Sequence, residues 1–234
     1  MKTKLVPENT SQAGFSLMEL LVVLAIVMIL SGISIFYLAG HQKLYKVDDQ
    51  ALQLVDILQE ARQRALAQKD PLRVEINLST NMVSLINENT ATLGVADDVV
   101  VKRFVLAATS LVTVSTRPAQ ITVNPPEPMP VPAAVFKNSV YTPSAGQNVC
   151  TIRFIANGSA TDGGTNATAS DAVPTGVSLF VWSPKKNTPA ESDQARAITV
   201  LAATGAIRMW EYDSTLTGTN KWKDSRKSTT GSGS

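Results

Sequence analysis

The sequence contains one cysteine and one histidine in 234 residues. The single cysteine excludes an intrachain disulfide, a CxxC redox motif and every Cys-rich zinc module. The single histidine excludes HExxH and paired-histidine metal centres. Charge is also scarce: charged residues make up 17%, and 21 Lys+Arg against 19 Asp+Glu leave a net +2. That is too little for the global basic field that draws nucleic acid. No GxSxG, Walker A or GxGxxG spacing occurs, so neither a nucleophile elbow nor a phosphate cradle is written into the chain. Apolar residues, by contrast, reach 44%, enough for a core and against wholesale disorder. The composition and motifs thus present no catalytic residue set, no cofactor motif and no metal ligand set.

From Leu20 to Gly40 run 21 consecutive uncharged residues, mostly Leu, Val, Ile and Ala. About 20 helical residues span the ~30 Å of bilayer hydrocarbon, so the run predicts a membrane span. Ser31, Gly32 and Ser34 interrupt it, but small residues are common on packed transmembrane helices. The preceding leader carries Lys2 and Lys4 against Glu8, a bias that retains the N-terminus in the cytoplasm. An ordinary secretory signal has an apolar core of about 7–15 residues and a small-x-small cleavage site. Here the core is longer, Leu38-Ala39-Gly40 is a poor site, and Glu19 puts a carboxylate against the start of the run.

The words Gly14-Phe15-Ser16-Leu17-Met18-Glu19-Leu20-Leu21 resemble the prepilin cleavage and methylation motif of type IV pilins and type II secretion pseudopilins. The resemblance implies cleavage between Gly14 and Phe15 by a prepilin peptidase, and methylation of the new Phe15 amine. It also implies a role for Glu19 in assembly, as partner of that amine in its own or a neighbouring subunit. Other pilins or pseudopilins would then be partners through the N-terminal helix, with the chain in the bacterial inner membrane and its head in the periplasm. Many members have a proline where this chain has Phe36, so a proline kink does not carry over.

Beyond Gly40, Leu44, Val47, Ala51, Leu54, Leu58, Ala61 and Ala65 recur at steps of three and four, one apolar stripe of a helix. No Gly or Pro interrupts 41–70, and Pro71 then stops the pattern. One helix from Phe15 to Lys69, roughly 80 Å long, is expected, apolar all round in its first half and amphipathic in its second. The period then becomes two: Leu72, Val74, Ile76 and Leu78 alternate with Arg73, Glu75 and Asn77, which predicts a half-buried strand. A turn at 79–81 leads to a returning strand at 82–86. Further strands are expected at 99–106, 111–116, 121–123, 149–155 and 177–182. A hairpin at 197–203 and 206–212 turns on Thr204-Gly205. Pro125, Pro126, Pro128, Pro130 and Pro132 read as an extended surface loop. The resulting class is α+β, a long helix on an antiparallel β head. Its parts are a leader at 1–14, an assembly helix at 15–40, an amphipathic helix at 41–70, the β head at 71–212 and a disordered polar tail at 213–234.

In the second half, Cys150 to Phe154, Asn157-Gly158, Arg196 to Val200 and Thr204-Gly205 to Arg208 resemble the GspH/FimT family of minor pseudopilins and minor pilins. That implies a secretion pseudopilus subunit or, alternatively, a type IV pilus subunit used in adhesion, motility or DNA uptake. A signal-anchored binding module that never polymerises is a reading of another class. The tail carries Lys221, Lys223, Arg226 and Lys227 around Trp222, candidate phosphate contacts with one stacking ring; a solvated tail is the plainer reading. Asp162-Gly163-Gly164 with Asp171 offers oxygen ligands without EF-hand spacing, so a plain loop is expected there. Asp48-Asp49 and Asp97-Asp98 read as solvated surface, His41 as an interfacial polar residue, and Cys150 as a buried free thiol.

Overall fold

The structure, a computed structural model, describes residues 16–89, 98–129, 131–166, 169–185, 187–192, 194–217 and 220–225, and of residues 35–44 the backbone alone. The chain divides into two compact units, residues 1–42 and residues 43–234. A single helix, α1 (Leu17–Gln68), occupies the end of the first and the start of the second.

In the second unit Val47, Ala51, Leu54, Leu58, Ala61 and Ala65 of the expected stripe have no exposed surface, and Ile57, not part of that stripe, joins them; the side chain of Leu44 lies outside the described residues. Three alanines in that stripe let the strands approach the helix closely, and the leucines fill the gaps. The helix ends where expected: the Lys69 amide still donates to Ala65 O at 3.0 Å, Lys69 turns to a positive φ of 62°, and Pro71 cannot continue the ladder.

Two antiparallel sheets complete this unit. The first contains β1 (Leu72–Asn77), β2 (Met82–Asn87), β3 (Val99–Val105), β5 (Lys137–Asn138), β6 (Asn148–Phe154) and β7 (Ala160–Thr161), in the order β3-β2-β1-β6-β5 with β7 also on β6. The second contains β4 (Thr113–Ser115), β8 (Val177–Trp182), β9 (Ala195–Val200), β10 (Ile207–Tyr212) and β11 (Trp222–Asp224), in the order β11-β10-β9-β8-β4. The inner residues of both sheets share one core with the helix stripe, among them Val74 and Ile76, Ile152 and Phe154, Leu179 and Val181, Ile198 and Val200. This is the α+β class expected, with a β-rich head.

Four expectations change. First, β1 is not half-buried: all six residues are inaccessible, including Arg73, Glu75 and Asn77. As a central strand it has β2 and β6 on its flanks, and Tyr141 lies over its polar face, with Arg73 Cζ 5.1 Å from the ring centroid. Second, the strand expected at 111–116 shrinks to β4, and 121–123 forms none. Ile121 instead plugs a second cluster on the outer face of the second sheet, with Phe180, Trp182, Ala195, Ala197, Trp210 and Trp222.

Third, the proline stretch is more than a surface loop. Glu127 dips into the second sheet, where Arg208 Nη1 lies 2.8 Å from Oε2, Trp210 Nε1 donates to Oε1 at 3.1 Å, and Thr199 donates its hydroxyl. The other two indole N–H groups hold the segment before it: Trp182 donates to Thr116 O at 3.1 Å and Trp222 to Val123 O at 2.8 Å. All three tryptophans thus use their polar edge to fasten residues 116–127 across the sheet.

Fourth, part of the polar tail is built into the second sheet: β11 adds to β10 and buries Trp222 against Tyr212 and Phe180 at centroid distances of 5.3 and 6.0 Å.

The two glycines singled out in the second half of the chain meet in space. Gly205 has φ +58°, and a Cβ there would run into the carbonyl oxygen of Gly158 and approach the Arg62 side chain of α1. Gly158, at φ +79°, lies against Leu66 of the same helix. Gly205→Ala is therefore expected to cost about 2–4 kcal/mol, combining a disfavoured φ with overpacking. Gly146 is the control: its φ is +75° but no atom lies within 4 Å of a Cβ there, so Gly146→Ala should cost only the backbone part, about 1 kcal/mol. Urea midpoints of the full chain in detergent measure both, and equal losses would remove the steric account.

Candidate functional site

The N-terminal end of α1 is built around Ser16. Its side-chain oxygen accepts from the Met18 amide at 3.3 Å and its carbonyl from the Leu20 amide at 3.1 Å. Ser16 is thus the N-cap, and Glu19 falls on the third helical residue. The spacing Ser16-x-x-Glu19 before an apolar run is a capping-box signature, legible in the sequence but absent from the reading above. A carboxylate in the first turn also faces the positive end of the helix dipole, a contribution of about 0.3–1 kcal/mol. Glu19 therefore has a helix-starting role besides any role in assembly. Its side chain is exposed. Gly14 and Phe15 lie outside the described residues.

From Leu17 to Ser34 the helix has a mean hydropathy of 2.5 and none of it is buried. Burying one large aliphatic side chain is worth roughly 1.5–3 kcal/mol, so this cylinder calls for lipid or other apolar helices around it. By length and composition it can cross a membrane. The two serines within it add no orphan donor: Ser31 Oγ donates to Val27 O at 2.7 Å and Ser34 Oγ to Leu30 O at 2.8 Å. The side chain of His41 lies outside the described residues.

The remaining candidates resolve differently. Arg226 and Lys227 lie outside the described residues. Trp222 is 4% exposed and offers no face for stacking. Lys223 is ion-paired with Asp213, and that pairing holds the Asp213 carboxyl far below its ordinary value. Lys221 donates to Ser214 O at 3.3 Å. In the described part of the tail, β-pairing has used the ring for packing. Both carboxylates of the 162–171 loop are occupied by the loop itself. Asp162 accepts from the Gly164 and Val173 amides at 3.0 Å each, and Asp171 accepts from the Thr165 amide at 2.8 Å and from its hydroxyl. Among the described residues no group of three or more His, Cys, Asp or Glu is placed to hold a metal. Cys150 is buried, and burial pushes its thiol up to about 12, so it is neither a thiolate nor accessible to a second chain.

Nor is Asp98 solvated surface. It lies 2.7 Å from Arg73 Nη1 with a side chain 7% exposed. Asp48 pairs with Arg196 at 2.7 Å, which also meets Glu211 at 3.1 Å. Around Arg73 stands a closed set of charges that sequence reading did not assemble. Arg73 Nε is 2.8 Å from Glu75 Oε1, Nη1 is 3.6 Å from Glu88 Oε1, and Arg153 Nε is 2.8 Å from Glu88 Oε2. Burial alone would lower the Arg73 pKa; Glu75 and Asp98 outweigh it and raise it. Burial pushes the Tyr141 hydroxyl beside this set up to about 12.

Comparison with known proteins yields one match and two blanks. Residues 9–35 match the family model described as the prokaryotic N-terminal methylation motif. No curated protein and no solved structure gives a significant match. The matched residues contain Gly14, Phe15, the Ser16 cap, Glu19 and most of the uncovered apolar helix. The chain thus carries a type IV pilin-like prepilin signal, the mark of a prepilin-peptidase substrate anchored by one N-terminal apolar helix.

Proposed function

We propose that this chain is a minor pseudopilin, a structural subunit rather than an enzyme, which assembles through α1 into the pseudopilus of a type II secretion system. The observation that carries the reading is register: the methylation motif, the Ser16 cap and Glu19 coincide with the first turn of a helix that leaves 18 residues of apolar surface uncovered. On this reading the leader is removed between Gly14 and Phe15, the head stands in the periplasm, and assembly buries apolar helix against apolar helix. The GspH/FimT type is supported by Gly158 and Gly205, which the resemblance singles out and which pack together beside α1. A FimT-like minor pilin of a type IV pilus is the second reading. Its DNA-uptake variant draws no support from the described part of the tail, where Trp222 is buried and Lys223 paired.

Mass spectrometry of the N-terminus of membrane-purified protein tests the shared core of both readings. The expected mature chain begins with methylated Phe15. Gly14→Val is expected to abolish processing, since a side chain beside the scissile bond obstructs a peptidase acting at the membrane face. An intact Met1 in the wild type would leave a signal-anchored module that does not polymerise, and normal maturation of Gly14→Val would count against the prepilin-peptidase reading. Co-purification with secretion or with pilus components then separates the two filament readings.

A further inference from the structure

The closed set around Arg73 does not balance. It holds two guanidinium groups, Arg73 and Arg153, and three carboxyl groups, Glu75, Glu88 and Asp98. The side chains of Arg73 and Glu88 have no exposure, those of Glu75 and Asp98 are 4% and 7% exposed, and that of Arg153 is 11% exposed. An uncompensated charge in such a place costs several kcal/mol. The five groups come from four elements: Arg73 and Glu75 from β1, Arg153 from β6, Glu88 from the end of β2, and Asp98 from the start of β3. Tyr141 is the other titratable group against them, and Asp171 acts on Tyr141 from farther off. Glu88 Oε1, both Asp98 carboxyl oxygens and Tyr141 Oη are buried without a hydrogen-bond partner, although Asp98 Oδ2 is ion-paired with Arg73 Nη1 at 2.7 Å. Glu88 takes its close contact through Oε2, with Arg153, whereas Oε1 stands 3.6 Å from Arg73 Nη1, beyond hydrogen-bond reach, and has room to carry a hydrogen.

We infer that the Glu88 carboxyl keeps its proton at neutral pH, making the buried set electrically neutral and the stability of the head dependent on pH. Ionised, Glu88 and Asp98 would stand as two carboxylates sharing too little positive charge, one at each end of the β2–β3 connection. Burial independently raises the Glu88 pKa above its ordinary 4.5, against the lowering effect of Arg153.

The sign follows from linkage. Between 4.5 and the higher folded-state value, the folded chain holds a proton that the unfolded chain has lost. Stability from this site is complete below the unfolded value and disappears as pH rises through the folded one, with the unfolding constant growing up to tenfold per pH unit in between. Carboxyls lowered by their partners, such as Glu60 beside Lys102 and Asp213 beside Lys223, act in the opposite sense and below their ordinary values. Among the described carboxyls with a shifted pKa, Glu88 is the one that is raised.

The test is denaturant unfolding of the full chain in detergent from about pH 5 to pH 9, for wild type, Glu88→Gln and Asp98→Asn, with infrared spectra in D2O. Expected are a wild-type stability that falls with pH, a Glu88→Gln profile without that slope, and a protonated-carboxyl band at neutral pH that Glu88→Gln lacks. Asp98→Asn, which removes the carboxylate opposing ionisation of Glu88, should weaken the slope and the band. A slope unchanged in Glu88→Gln, or a wild-type spectrum without the band at neutral pH, would each overturn the assignment. The wild-type spectrum decides even if Glu88→Gln fails to fold.

Discussion

Replacing Arg73 with alanine is expected to destabilise the head by about 3–5 kcal/mol, the cost of breaking a buried ion pair by removing one partner. The guanidinium lies 2.8 Å from Glu75 and 2.7 Å from Asp98, reaches Thr142 O at 3.4 Å, and lies under the Tyr141 ring. Without it, three carboxyl groups share Arg153 alone, and water cannot compensate at a site with no exposure. Arg73→Lys should recover part of the loss, since an ammonium keeps the charge but cannot fork to Glu75 and Asp98 together. The contrast is Arg64→Ala on the helix surface. That residue pairs with Glu60 at 2.8 Å, but the two side chains are 41% and 26% exposed, and exposed i,i+4 pairs are worth about 0.3–0.5 kcal/mol. Urea unfolding followed by tryptophan fluorescence measures all three. A loss for Arg73→Ala no larger than that for Arg64→Ala would show that the set is not closed to water.

The second large effect concerns Glu19, and it rests on the pilin-like reading. After cleavage Phe15 bears a methylated, positively charged amine, and Glu19 lies four residues on, about 6 Å along the axis. Both charges are costly in a water-poor bundle and tolerable as a pair, so pairing between subunits selects one axial offset. Glu19 is also the third helical residue behind the Ser16 cap, so an alanine would weaken the helix start as well as remove the charge. Glu19→Gln separates the two roles, because an amide can still serve at the third position of a capping box but carries no charge. The expected outcome is normal cleavage and insertion for Glu19→Ala, Glu19→Gln and Glu19→Lys. Filament incorporation should be poor for the first two and worst for Glu19→Lys, which sets like charges together. Co-purification of each variant with filament partners from membranes reads this out. Incorporation of Glu19→Gln at the wild-type level would assign Glu19 to capping alone, and incorporation of Glu19→Lys would leave the register to apolar packing.

Local periodicity was enough to place the long helix, the β1–β2 hairpin and their inward faces, though not the short strands β5, β7 and β11. A period of three to four placed Val47 through Ala65 on one buried stripe, a period of two located β1 and β2 around the turn at 79–81, and Pro71 located the helix end within a residue or two. The methylation motif and the apolar run were equally local, because their chemistry acts on adjacent residues. What covers each outward face was settled by packing between segments distant in the chain. Alternation identifies Arg73, Glu75 and Asn77 as one face of β1, but that face is buried by Tyr141, Glu88, Asp98 and Arg153, up to 80 residues away in the chain. The same holds for Ile121 and Glu127, which read as strand and loop and serve as plug and anchor. Trp222 reads as part of a polar tail and completes a sheet edge. Periodicity records only which side chains share a side of an element; whether a side meets water depends on contacts between segments distant in sequence, and no local pattern encodes those.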